Sequence, residues 1–138
     1  MERLFIDTSA WFAYINKSDH DHQKVRAILD HPKGRLVTSN FIFDETITLC
    51  LYRLGHPTAA KVGAVLLDPT LLDLIRLTPD DEQTAWTLFL ARPDQFYSFT
   101  DCTSFTLMKR LGLTRDIWII RKLGFWPSSH IIFIGNVS

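Results

Sequence analysis

The sequence predicts an α/β fold around a mostly parallel sheet, and three observations carry that prediction. The short continuous apolar run at residues 4–6 reads as a buried parallel strand, and residues 35–38 and 71–77 are two further strand candidates. Segments with helical spacing, each with a start or stop residue, alternate with those runs. No repeat, linker or low-complexity tract interrupts the alternation, so residues 1–138 read as one domain.

Leu4-Phe5-Ile6 runs into Asp7-Thr8-Ser9, where Thr8 and Ser9 are suited to cap a helix over residues 10–16. A second helix over 19–30 places Val25, Ile28 and Leu29 at helical spacing and is closed by Pro32 and Gly34. The strand at 35–38 is followed by Ser39-Asn40, a cap for a long helix over 41–54. That helix carries two apolar stripes and is expected to be mostly buried. Gly55 stops it, and Pro57 opens the next helix over 58–67. After the third strand, Thr78-Pro79-Asp80-Asp81-Glu82 supplies a cap, a first-turn proline and three acids at the positive end of the helix dipole. A loop at 92–97 leads to Ser98-Phe99-Thr100-Asp101 and a last helix through 111, ended by Gly112. Residues 117–120 and 131–134 read as two further strands joined by a loop holding Gly124, Pro127 and Ser128.

With 138 residues, 46% apolar and 22% charged, the chain can bury a proper core. Its formal net charge is zero, which argues against a simple electrostatic DNA-binder. Two cysteines, Cys50 and Cys102, make neither a disulfide framework nor a zinc site and read as buried free thiols. The N-terminus carries Glu2 and Arg3 and no long apolar core, and the longest apolar runs are too short to span a bilayer. A cytoplasmic protein without a membrane partner is the expectation.

Three acids share one structural situation. Asp7 follows the first strand, Glu45 lies one turn inside the helix after the second strand, and Asp101 opens the last helix. In a parallel α/β sheet the strand C-terminal ends and the helix starts that follow them share one edge, so these residues can converge. Clustered carboxylates repel, and a site that gathers them normally holds a divalent cation. Oxygen-only ligands suit Mg²⁺ or Mn²⁺ better than zinc. Each acid also has an ordinary reading. Asp7 can be a loop or cap residue, and Asp101 can simply favour a helix N-terminus. Glu45 is harder to explain that way, because it sits in an apolar helix where an unpaired carboxylate is costly. Asp44 beside it is the one expected to face solvent.

At this point the motifs become recognisable. Phe5-Ile6-Asp7-Thr8-Ser9-Ala10-Trp11 resembles the opening of a PIN domain, the nuclease fold of VapC-type toxins. Thr38-Ser39-Asn40-Phe41-Ile42-Phe43-Asp44-Glu45-Thr46 is similar to its second motif, and Ser98-Phe99-Thr100-Asp101-Cys102-Thr103-Ser104-Phe105 to its third, with Met108 following. The resemblance covers residues 1–112. It implies a three-layer α/β/α sandwich and Mg²⁺- or Mn²⁺-dependent hydrolysis of RNA, with Asp7, Glu45 and Asp101 in the acidic metal-ligand roles. Thr8, Ser9 and Thr100 would support the site. It further implies a homodimer and, for a toxin of a toxin–antitoxin pair, an antitoxin protein as partner.

The C-terminal part, residues 113–138, departs from that pattern. The family usually ends a short apolar strand on a further Asp, whereas here the strand at 117–120 is followed by Arg121, and Asp116 precedes it. Three explanations stand open: the fourth acid is lost, Asp116 replaces it through a shifted register, or a reading-frame change has replaced the family's tail. Loss favours a catalytically weak PIN-like domain that binds RNA or protein. A phosphotransfer enzyme with Asp7 as nucleophile is disfavoured, because the second acid two residues on is replaced by Ser9.

The remaining features are weaker. His20, His22, His31, His56 and His130 show no ligand spacing. Trp11, Trp86, Trp118 and Trp126 read as core or interface, with Trp126 the best candidate for exposure. Lys109 and Arg110 read as a solvated face, while Arg121 is open to an RNA-backbone role. The segment 11–14 and the helix at 41–54 are the candidate partner surfaces.

Overall fold

The computed structural model describes residues 3–113, together with the backbone of 118–123 and 130–135. Three parallel strands form the centre: β1 (Arg3–Phe5), β2 (Arg35–Ser39) and β3 (Asp73–Ile75), in the order β1-β2-β3. Their registers pair Leu4 with Leu36 and Thr38 with Leu74. The parallel runs are apolar on both faces, as a covered sheet requires: Leu4, Phe5 and Val37 are essentially inaccessible. Burying a side chain of this size stabilises the fold by about 1.5–3 kcal/mol.

Each crossover between strands carries two helices. Helices α1 (Thr8–Ile15) and α2 (His22–Leu29) link β1 to β2, and α3 (Asn40–Leu54) and α4 (His56–Leu66) link β2 to β3. Both crossovers step in the same direction across the sheet. Right-handed connection therefore puts all four helices on one face, where α1 packs on α2 and α3, and α3 on α4. Gly63 of α4 permits the close approach to α3, because a Cβ there would meet Ile47 Cδ1 at 3.3 Å. Two further helices, α5 (Pro79–Ala91) and α6 (Phe99–Arg110), pack on each other. The Arg3 guanidinium donates to the Leu111 carbonyl at 3.1 Å and ties the end of α6 back to β1.

Several boundaries differ from the sequence-based expectation, each for a local reason. Helix α1 begins at Thr8, capped by Asp7 itself, so Thr8 and Ser9 are helical residues and not the cap. The third strand is only Asp73–Ile75 within the expected 71–77, because the Leu77 amide is taken by the Asn40 side chain at 2.9 Å. Helix α3 is buried along one face, through Ile42, Thr46 and Cys50, while Tyr52 is 81% exposed. The partner-surface candidates divide accordingly: Trp11, Phe12 and Ala13 belong to the core, and only the exposed end of α3 is available. Trp11 Nε1 donates to the buried Thr38 hydroxyl, which in turn donates to the Ile6 carbonyl.

The last two strands, β4 (Trp118–Leu123) and β5 (His130–Gly135), pair antiparallel in a sheet of their own. The backbone of β4 lies beside β1 and α1. β4 is longer than the expected 117–120 and runs through Arg121, which is therefore a strand residue and not the residue following one. Both cysteines are buried and unpaired in a disulfide, as expected. No helix among the described residues is long and apolar enough to cross a membrane.

Candidate active site

The edge of the sheet where β1 and β2 end is where the acids gather. Asp7 is the N-cap of α1: its carboxylate accepts the Thr8 amide at 2.6 Å, and its backbone carbonyl accepts the Trp11 amide at 3.1 Å. The capping bond satisfies one of the orphan donors of the helix start and fixes the carboxylate there. Asp7 is only 6% exposed, an unusual setting for a charged group.

Glu45 enters from α3. Ser39 caps that helix by accepting the Ile42 amide at 3.1 Å, which puts Glu45 one turn further in. Ile42 and Thr46 turn into the core, Asp44 is exposed as expected, and Glu45 lies between them, half-buried at the seam. Burial pushes its carboxyl pKa up, the Thr8 hydroxyl pulls it down, and the Asp101 charge pushes it up again. Thr100 opposes that rise and Asp44 adds to it, leaving Glu45 above the ordinary carboxylate range. The causes themselves locate the group: Glu45 faces Thr8 from α1 and both Thr100 and Asp101 from α6.

Asp101 is the third residue of α6 and closes a capping box with Ser98. The Ser98 amide donates to Asp101 Oδ2 at 2.9 Å, and the Asp101 amide donates to the Ser98 hydroxyl at 3.0 Å. The box holds the Asp101 carboxylate at the positive end of the helix, where negative charge is stabilised. Thr103 donates to the Thr100 carbonyl, tightening the same turn.

The structure thus brings Thr8, Glu45, Thr100 and Asp101 together and leaves Asp7 adjacent through Thr8. Ser9 is half-buried next in α1, while Asp116 lies outside the described residues, as does any side-chain role of Arg121. Among the described residues, no group of three or more His, Cys, Asp and Glu side chains is placed to hold a metal ion. One observation tests the fit of a cation. The buried Thr8 side chain and Thr100 both stand close enough to the Glu45 carboxylate to lower its pKa as hydrogen-bond partners. An all-oxygen set of carboxylates and hydroxyls matches a hard divalent cation. The donor chemistry fits.

Sequence reasoning missed the part played by the other acidic cap. Asp81 is 4% exposed and accepts two bonds from Arg110, Nε to Oδ1 at 2.8 Å and Nη2 to Oδ2 at 2.9 Å. Arg110 is therefore a clamp between α5 and α6 and not a free basic face; Lys109 remains exposed. The spacing of the pair, on two different helices, gives no local signal. His22 contacts the Ala13 carbonyl through Nδ1 at 2.8 Å, a structural role between α1 and α2. A separate hollow lined by Trp11, Tyr14, Leu29, Leu36 and Leu72 contains no acid.

A model of the PIN domain matches residues 4–120. The 23S rRNA-specific endonuclease VapC20 of Mycobacterium tuberculosis is 34% identical over 110 residues, covering 80% of this chain and 83% of the relative. A VapC ribonuclease of Archaeoglobus fulgidus is 31% identical over 113 residues, covering 78% of this chain and 71% of the relative. The crystal structure of M. tuberculosis VapC20, a sarcin–ricin loop cleaving toxin, superposes with a TM-score of 0.77 at 33% identity, covering 81% of this chain and 85% of that one. The match reaches eight residues past the span of the sequence motifs and stops inside β4, next to Arg121. Sequence, fold and relatives agree: the chain belongs to the PIN-domain family, among its VapC-type toxin ribonucleases.

Proposed function

We propose that Asp7, Glu45 and Asp101 hold a divalent cation, Mg²⁺ or Mn²⁺, with which this chain cuts RNA as the toxin of a toxin–antitoxin pair. The observation that carries this reading is the convergence of Glu45 with Thr8, Thr100 and Asp101, with Asp7 capping the helix that begins at Thr8. When bound, the cation would lower the pKa of a water and stabilise charge developing on the scissile phosphate. Burial first, and the Asp101 charge with it, raise the Glu45 pKa, and a cation beside the carboxylate would favour its charged form. Thr8 and Thr100 orient its carboxylate from either side, Ser98 orients Asp101, and Ser9 supports the start of α1. Asp116 remains the candidate for a fourth acid.

Structured ribosomal RNA is the substrate to try first, because the M. tuberculosis relatives are 23S rRNA-specific endonucleases and the matching crystal structure is of a sarcin–ricin loop cleaving toxin. Residues 1–138 would act as one PIN-like domain in the cytoplasm, paired as a homodimer and silenced by an antitoxin protein. Leu51 and Tyr52, exposed on α3, offer apolar surface to one of those partners. The test is incubation of an rRNA-loop hairpin with the full chain and Mg²⁺ or Mn²⁺, beside Asp7→Asn. Endonucleolytic cuts that vanish in EDTA and in the variant are expected. Cleavage by Asp7→Asn at the wild-type rate would overturn the assignment.

A second reading has its own observation. Arg121 lies inside β4, and Gly124-Phe125 follow that strand in the sequence, so no acid ends it in the family's manner. This favours a weak nuclease that still binds RNA. A well-folded wild-type chain that binds the hairpin but never cuts it would establish that alternative.

A further inference from the structure

Four aromatic rings form a connected line that begins at the acids and runs out to the surface. Phe41 lies four residues before Glu45, on the same face of α3 and one turn away. Phe99 is the first residue of α6, in the turn that holds Asp101. Their rings meet edge to face at 5.9 Å, Phe99 meets Trp86 of α5 at 6.4 Å, and Trp86 stacks on Phe89 at 5.5 Å with 12° between the planes. The two inner rings are partly covered, whereas Trp86 is 47% and Phe89 38% exposed. An exposed tryptophan is costly to leave in water unless something covers it. The Trp86 and Phe89 rings are near-parallel and offset, and through Phe99 and Phe41 they are continuous with the edge that carries Glu45 and Asp101.

We infer that Trp86 and Phe89, joined to the acids by Phe99 and Phe41, form a stacking platform for unpaired nucleobases flanking the scissile phosphate. The inference rests on the RNA-cleaving reading above and adds to it the residues that would hold unpaired bases beside the cut, Trp86 and Phe89 of α5. Side chains cannot read the deep groove of A-form RNA, so recognition works by stacking unpaired bases on aromatic faces. The neutral net charge of the chain agrees with binding that draws on stacking more than on a basic surface.

The test measures binding and cutting separately. A short RNA hairpin with an unpaired loop, and the fully paired duplex of its stem, are titrated by fluorescence anisotropy with the full chain in EDTA, where no cutting occurs. Trp86→Leu keeps an apolar side chain without a π face, and Trp86→Phe keeps the face. The expected result is that Trp86→Leu binds the hairpin about 5- to 100-fold more weakly, that Trp86→Phe recovers most of the affinity, and that duplex binding hardly changes. Hairpin binding equal to wild type in Trp86→Leu overturns the platform, and so does a wild-type chain that binds hairpin and duplex alike. Sedimentation of each variant covers the other occupant: if Trp86→Leu shifts the chain from dimer to monomer and loses affinity only with that shift, the face belongs to a second copy and the inference fails. Failure to cut the hairpin in Mn²⁺, with hairpin binding still dependent on Trp86, refutes the nuclease reading and leaves the platform standing.

Discussion

At the scale of single residues, Glu45 carries the tension in the site. It is half-buried beside Asp101, and both burial and that charge raise its pKa. A folded-state pKa above the unfolded one means that the folded chain holds the proton to higher pH, so without metal its stability falls as pH rises from the ordinary carboxylate range through the folded pKa. Glu45→Gln removes that dependence. In EDTA at neutral pH the variant is expected to melt a few degrees above wild type, while losing about 10²-fold or more in RNA cleavage. Calorimetry beside a cleavage assay checks both halves, and a variant that is both less stable and fully active refutes the assignment. That Glu45 is special was legible in the sequence, since a carboxylate in an apolar helix needs a reason. The capping role of Asp7 was only one of the readings open to it, because Thr8 and Ser9 are equally good caps and only the backbone decides between them.

At the scale of elements, two capping boxes built on one pattern do different work. In Thr78-x-x-Asp81 and Ser98-x-x-Asp101 the aspartate closes the box at the start of α5 and of α6. Asp101 faces Glu45, whereas Asp81 takes a bidentate Arg110 from the neighbouring helix. Burial raises the Asp81 pKa, but Arg110 and the Thr78 amide outweigh it and hold the carboxyl below its ordinary value. A depressed pKa contributes stability above the unfolded value of 3.8, and that contribution is lost as pH falls through the folded one. Asp81→Asn is therefore expected to cost about 1–3 kcal/mol at neutral pH and to flatten the acid limb of the stability curve. Urea melts at pH 7 and pH 3 measure this, and equal losses at both would refute it. Gly112, at φ +68° after α6, is a simpler case, since a Cβ there meets nothing within 4 Å. Gly112→Ala should cost about 1 kcal/mol through backbone conformation alone, readable as a shifted urea midpoint with an unchanged slope. Sequence signals marked both helix starts, with cap, proline and three acids for α5 and a cap and one acid for α6. They could not separate the two aspartates, because what divides them is a partner on another helix.

At the scale of the whole molecule, the topology explains why three distant acids share one edge. Strands β1 and β2 both end there, and α1, α3 and α6 all begin there, so each acid is presented by a helix start or its first turns. The α/β architecture itself followed from alternating strands and helices, and the family match agrees with that fold. The tail followed in part: two apolar runs were read as further strands and β4 and β5 are strands, but their antiparallel pairing in a sheet of their own was not foreseen. Binding of an ion to the folded chain alone would raise its melting temperature with increasing Mn²⁺, by mass action. The most direct measurement is accordingly Mn²⁺ titration by calorimetry on the wild-type chain and on Asp7→Asn, Glu45→Gln and Asp101→Asn, each confirmed folded by circular dichroism. The expected result is a saturable site in the wild type that each of the three substitutions weakens at least about tenfold. Wild-type Mn²⁺ affinity retained in all three variants would contradict a cation held by these carboxylates.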